Sequence, residues 1–182
     1  MRRLLLVTSV LLLACVTEIA YSCTCFEEAG SVEKKVRSAA KTSEFVGLVR
    51  ITKTRLEREV RDSNGRYIGL RDPSAPALYP TEPWDALYLV ATFETLHVWK
   101  GRNLKVSDVA TGTGIGDCGL SFREGQLVLL YASKANYTGL RYAGSCGRTD
   151  LMRNAARDVE ILNKRFRKWP LPKDLEFSHQ ES

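Results

Sequence analysis

Histidine is nearly absent from this 182-residue chain: His97 and His179 are the only two. No H-x-x-x-H or histidine–carboxylate spacing is present, so a histidine-based metal site of its own is excluded. His97 sits in an apolar run, with no strained turn to present a serine nucleophile beside it, so a Ser/His/Asp triad has no support. The acidic residues are scattered and none pairs as an acid/base couple. These absences point away from an enzyme, and no cofactor is implied. Long apolar runs are also scarce. The only one, Leu4 to Val16, has thirteen residues, too few to cross a bilayer comfortably. Net charge is modest at +6, from 27 basic and 21 acidic residues. No nucleic-acid-binding motif of stacked aromatics with interleaved Arg or Lys is found, so nucleic acid is not an expected partner. Gly114, Gly116 and Gly119 match G-x-G-x-x-G. That fingerprint needs a helix to start on its glycines, and the following LSFREGQLVLLY is strand-like. The glycines instead let the backbone turn closely around Cys118.

The apolar run has a purpose in context. Met1-Arg2-Arg3 is a positive leader start, and Ala20-Tyr21-Ser22 places small residues at the −3 and −1 positions of a cleavage site. Residues 1–22 therefore read as a cleaved secretory leader, with Cys23 as the new first residue of a secreted, extracellular or periplasmic protein. A competing cut lies at Leu12-Leu13-Ala14-Cys15, a loose lipobox that would make Cys15 a lipid anchor. Of five cysteines, at 15, 23, 25, 118 and 146, four survive cleavage before Cys23. An even number in an oxidising compartment reads as two disulfides. A Cys23–Cys25 bridge would close a very small ring. One of the two N-terminal cysteines then pairs with Cys118 and the other with Cys146. Each bridge closes a loop of about a hundred residues, worth roughly 4–5 kcal/mol in the chain-entropy picture. A four-cysteine zinc site is the competing use, but the usual C-x-x-C knuckles are missing.

Residues 31–43 predict a short amphipathic helix, with Ser31 as N-cap, Glu33 in the first turn, and Val32, Val36 and Ala39 or Ala40 at helical spacing. Residues 44–54 predict a strand in which Gly47 marks a bulge or sharp bend. Residues 55–86 read as a long exposed loop, or as an extended hairpin turning at Asn64-Gly65 with an irregular return, and four prolines follow that turn. Strands are predicted at 86–101, 104–112, 125–133 and 139–146. From Thr149 a helix follows, with Leu151, Ala155, Val159 or Ala156, Leu162 and Phe166 as its apolar stripe and Glu160–Lys164 as an i,i+4 pair. Pro170 and Pro172 stop it, and 170–182 reads as a flexible tail. Asn136-Tyr137-Thr138 is a glycosylation sequon, relevant only where that machinery exists. Five mostly antiparallel strands with helices outside them suggest an all-β core, a five-stranded Greek-key barrel of the OB type spanning 23–169, as a monomer.

Cys23-Thr24-Cys25 directly after a leader, with FVGLV at 45–49, CGLSFREGQLVLLYA at 118–132 and CGRT at 146–149 before a helix, resembles the inhibitory domain of the tissue inhibitors of metalloproteinases, within the netrin-like superfamily. The resemblance runs to about residue 165. It implies an OB barrel, bridges Cys23–Cys118 and Cys25–Cys146, and a secreted zinc metalloprotease as partner. The amine and carbonyl of Cys23 would chelate the protease's zinc at its open position. Thr24 would enter the S1′ pocket next to Cys25, and Asp117-Cys118-Gly119 would form a second contact ridge. The chain departs from animal members in lacking a third disulfide and a cysteine-rich C-terminal domain. Asp117 also stands where inhibitory members carry a small or hydroxylated residue. The alternative within the same superfamily is a non-inhibitory binding or structural module. Its contacts would follow the 55–86 loop or the basic helix bearing Arg153, Arg157, Lys164 and Arg167.

Overall fold

A computed structural model describes Cys25 and residues 29–74, 87–114, 118–134 and 139–172. Helix α1 (Val32–Thr42) starts on Ser31, whose hydroxyl accepts from the Lys34 N–H at 3.3 Å. Its Val36 and Ala40 are buried, while Val32 is exposed. The chain then enters β1 (Phe45–Arg61), followed by β2 (Tyr67–Arg71), β3 (Leu87–Lys100), β4 (Asp108–Thr111), β5 (Leu127–Ala132), β6 (Arg141–Tyr142) and β7 (Asp150–Leu151). A 3-10 turn (Met152–Asn154) leads into helix α2 (Ala156–Arg165). The strands form one mixed sheet in the order β6-β4-β3-β1-β5-β7, with β2 added to β1.

The core is all-β with flanking helices, as expected, but the sheet differs from the expected five-stranded barrel. It has seven strands among the described residues and stays open, with β6 and β7 at its ends. Its β4–β6 pair is parallel. Alternation along β1 and β5 divides the core into two layers. Val46, Leu48, Leu129 and Tyr131 face the helices together with Trp99, Val159 and Leu162. Phe45, Val49, Val128 and Leu130 face the other way, against Phe93, Val109 and Phe122. Register with β3 shifts between Val46 and Gly47, the bulge that the glycine signals. A Cβ on Gly47 would lie 2.7 Å from the His97 carbonyl, so only glycine allows that approach.

Three expectations are corrected. Residues 55–74 are not part of an exposed loop. β1 continues to Arg61, pairs with β3 as far as Arg58–Leu87, and turns through Asp62–Arg66 into β2. Charged residues hide the strand pattern there, yet they hold it in place. The Arg55 guanidinium donates to Glu57, Thr92 and Asp108, tying this arm to β4. The hairpin does form at Asn64-Gly65: Gly65 has φ +74° and Asp62 accepts from the Asn64 and Arg66 N–H groups at 2.9 Å. Residues 75–86 lie outside the described residues. Next, the C-terminal helix begins only at Ala156, because Asp150–Leu151 is claimed by the ladder with β5. Finally, the start of the expected tail belongs to the core. Leu171 is 3% exposed and its N–H donates to the Asn163 side chain at 2.8 Å. Residues 173–182 lie outside the described part.

Candidate functional site

The sequence reading puts the candidate site at Cys23-Thr24-Cys25, and the fold surrounds Cys25 with a rim. Cys25 is joined to Cys146, with Cα atoms 5.1 Å apart across 121 residues of sequence. Cys118 is also disulfide-bonded, to a cysteine outside the described residues. Of the expected site residues, Cys25, Cys118 and Gly119 are thus brought to one rim, while Cys23, Thr24 and Asp117 lie outside the described residues. So do Cys15, Asn136 and His179.

Glycines allow the rim to close. Cys118 itself adopts φ +58°, a left-handed conformation rare outside glycine. Its carbonyl accepts from the Ser145 N–H at 2.8 Å. A Cβ on Gly119 would lie 2.1 Å from the Gly112 carbonyl oxygen, so the two backbones are in direct contact. The Gly112 N–H donates to the Tyr142 hydroxyl at 3.2 Å, and the Leu120 N–H donates to buried Thr111 at 2.9 Å. Residues 112–114, 118–120 and 142–147 therefore form one cross-braced platform. No helix follows these glycines, only irregular chain leading into β5.

Behind the rim lies a network the sequence reading did not identify. Within CGRT, each residue after the glycine is anchored. Arg148 makes a two-pronged contact with Asp158 on α2: Nε donates to Oδ2 at 2.6 Å and a terminal nitrogen to Oδ1 at 2.5 Å. Asp158 is only 4% exposed, and the Tyr131 hydroxyl on β5 also donates to it at 3.1 Å. Burial, then the neighbouring Asp158 charge, push the Tyr131 hydroxyl well above the usual tyrosine range, so it stays protonated as a donor. Thr149 accepts from the Tyr131 N–H at 2.9 Å and donates to its carbonyl at 3.1 Å. The available sequence signal was a carboxylate, Asp158, beside Val159 on the apolar face of a helix.

Between the rim and α1 opens a cleft of about 710 Å³. Cys25, Cys118 and Cys146 edge it on one side, Lys35, Ser38 and Thr42 on the other, with Tyr131 among the remaining walls. Among the described residues, no group of three His, Cys, Asp or Glu side chains could hold a metal. His97 is half-buried elsewhere, donating from Nε2 to the Trp169 carbonyl at 3.1 Å with its ring edge-on to Trp99. The arrangement is suited to holding a short segment of chain rigidly at an open edge. No known protein family matches the chain, and no curated protein does.

Proposed function

We propose that the chain is a secreted inhibitor of zinc metalloendopeptidases of the tissue-inhibitor type, acting through the amine and carbonyl of Cys23. The observation that supports this most directly is the mooring of Cys25 to Cys146 on a platform cross-braced by Arg148, Thr149 and the glycine contacts. Two residues of extended chain span at most about 7 Å. Cleavage before Cys23 would therefore leave the new amine within that reach of a fixed point. A chelating end needs such fixing, because ordering a free one would consume its binding energy. An α-amine with a pKa of about 8 sheds its proton near neutrality, and metal binding favours the neutral form further.

In this reading Cys118 pairs with Cys23, Thr24 enters the S1′ pocket, and the ridge at Asp117, Cys118 and Gly119 lies beside it. The sheet is taken as an opened variant of the OB-type arrangement, with β1, β3, β4, β5 and β6 in the places of its strands. The test uses exported protein, mass-checked for its first residue and its bridges. It is titrated against a matrix-metalloproteinase catalytic domain with a fluorogenic peptide. Adding one alanine before Cys23, or acetylating its amine, is expected to abolish inhibition while circular dichroism stays unchanged. Equal inhibition by the extended protein refutes the mechanism. Absence of inhibition by the native form leaves the non-inhibitory netrin-like module as the reading.

A further inference from the structure

The end of the molecule formed by the β3–β4 loop and the segment after α2 carries a cluster that the rim and its cleft do not use. Two of the large apolar side chains left exposed on this surface sit there: Trp169 at 43% and Leu104 at 37%. The Arg102 guanidinium lies over the Trp169 ring, 4.4 Å from its centre, which places the loop against the C-terminal segment. The Trp169 backbone is pinned. Its carbonyl accepts from His97, its N–H donates to the Phe166 carbonyl at 2.8 Å, and Leu171 beyond it is buried. The backbone that carries the partly exposed indole is therefore fixed.

Besides Arg102, the loop carries Lys105 and the chain just before Trp169 carries Arg165, Arg167 and Lys168, and all five are exposed. None has an acidic partner among the described residues, whereas nearby Arg157 and Lys164 share Glu160. Cations in the last turn of a helix answer its dipole, which accounts for Lys164 and Arg165. It does not account for two more beyond the helix, two on a separate loop, or an exposed indole among them. A sulfated polysaccharide would be met chiefly by cations and offers no apolar layer for an indole to enter. A bilayer surface offers anionic headgroups above an apolar layer, and the tryptophan ring belongs at that boundary.

We propose that this tip docks onto membranes rich in anionic phospholipid, with Trp169 and Leu104 entering the interface and the five cations meeting headgroup phosphates. The proposal uses neither Cys23 nor the cleft, so it stands or falls separately from the inhibitory reading. It is tested by co-sedimenting the full chain with vesicles of phosphatidylcholine alone and of phosphatidylcholine mixed equally with phosphatidylglycerol. Binding is expected only to the mixed vesicles, weakening as salt rises. At about fivefold for each cation near an anionic surface, R165E/R167E/K168E, which reverses three charges, is expected to bind at least about a hundredfold more weakly. The charge-matched K53E/R123E/K134E, altered at exposed positions elsewhere, is expected to keep most of its binding. W169A is expected to lose vesicle binding while binding soluble dextran sulfate as the parent does. Failure to bind mixed vesicles overturns the proposal, as does equal loss in both charge variants. Undiminished vesicle binding by W169A also overturns it, and would assign the tip to a soluble polyanion.

Discussion

Replacing Arg148 by methionine isolates what holds the rim in place. The methionine retains much of the apolar stem but removes the guanidinium from a carboxylate that is 4% exposed. Asp158 then keeps only the Tyr131 hydroxyl on Oδ2, and Oδ1 loses its Arg148 donor. Breaking a buried ion pair from one side costs about 3–5 kcal/mol. The Arg148 side chain is 32% exposed, so water can partly replace it, which puts the expected loss near the lower end, about 3 kcal/mol. For a domain of this size that corresponds to a fall in Tm of roughly 10 °C. The measurement is equilibrium urea unfolding at neutral pH with disulfides intact. R148M/D158N should recover about 2 kcal/mol, because the stranded charge leaves while an acceptor for Tyr131 remains. A loss under about 1 kcal/mol, or a double variant no better than the single, would show that the network does not brace this segment.

Gly119→Ala drives a methyl into the Gly112 carbonyl, 2.1 Å away, and should cost about 1–3 kcal/mol or more in the same assay; an unchanged midpoint contradicts the contact. Lys100→Met removes the ammonium that donates to the Ala40, Lys41 and Ser43 carbonyls at the end of α1. This should cost about 1.5–3 kcal/mol, with early loss of amide protection in α1 by hydrogen exchange. Burial, and to a lesser extent Arg102, hold the His97 imidazole below its ordinary value of 6.5, despite the Trp169 carbonyl favouring the protonated form. The folded state therefore binds this proton more weakly than the unfolded one, and stability should fall as pH drops below 6.5. His97→Gln should flatten that part of the pH profile, and an identical profile rules the linkage out.

Local chemistry accounts for what could be read in advance. Ser31 caps α1, Asn64-Gly65 turns a hairpin, and Glu160 meets Lys164 at 2.8 Å. Each of these depends on residues a few positions apart, so the chain's own stereochemistry suffices. The cysteine pattern likewise pointed to distant bridges, since neighbouring cysteines have too little chain between them to close a normal ring. The arm at 55–74 was hidden because its strands are charged, and only the facing strand shows that Arg55 reaches Thr92 and Asp108.

From sequence alone came the apolar periodicities and the expectation of a β-rich core with helices outside. Those rest on composition and short-range spacing, which survive whatever the rest of the chain does. Tertiary structure decided that the sheet stays open and that Asp150–Leu151 serves β5 before any helix begins. It also decided that Leu171 is core, that Asp158 is held by Arg148 and Tyr131, and that Trp169 stands exposed beside Arg102. In each case the preference of a residue was overruled or completed by a partner many positions away. Burial and pairing are properties of a neighbourhood, and the neighbourhood exists only once the chain has folded.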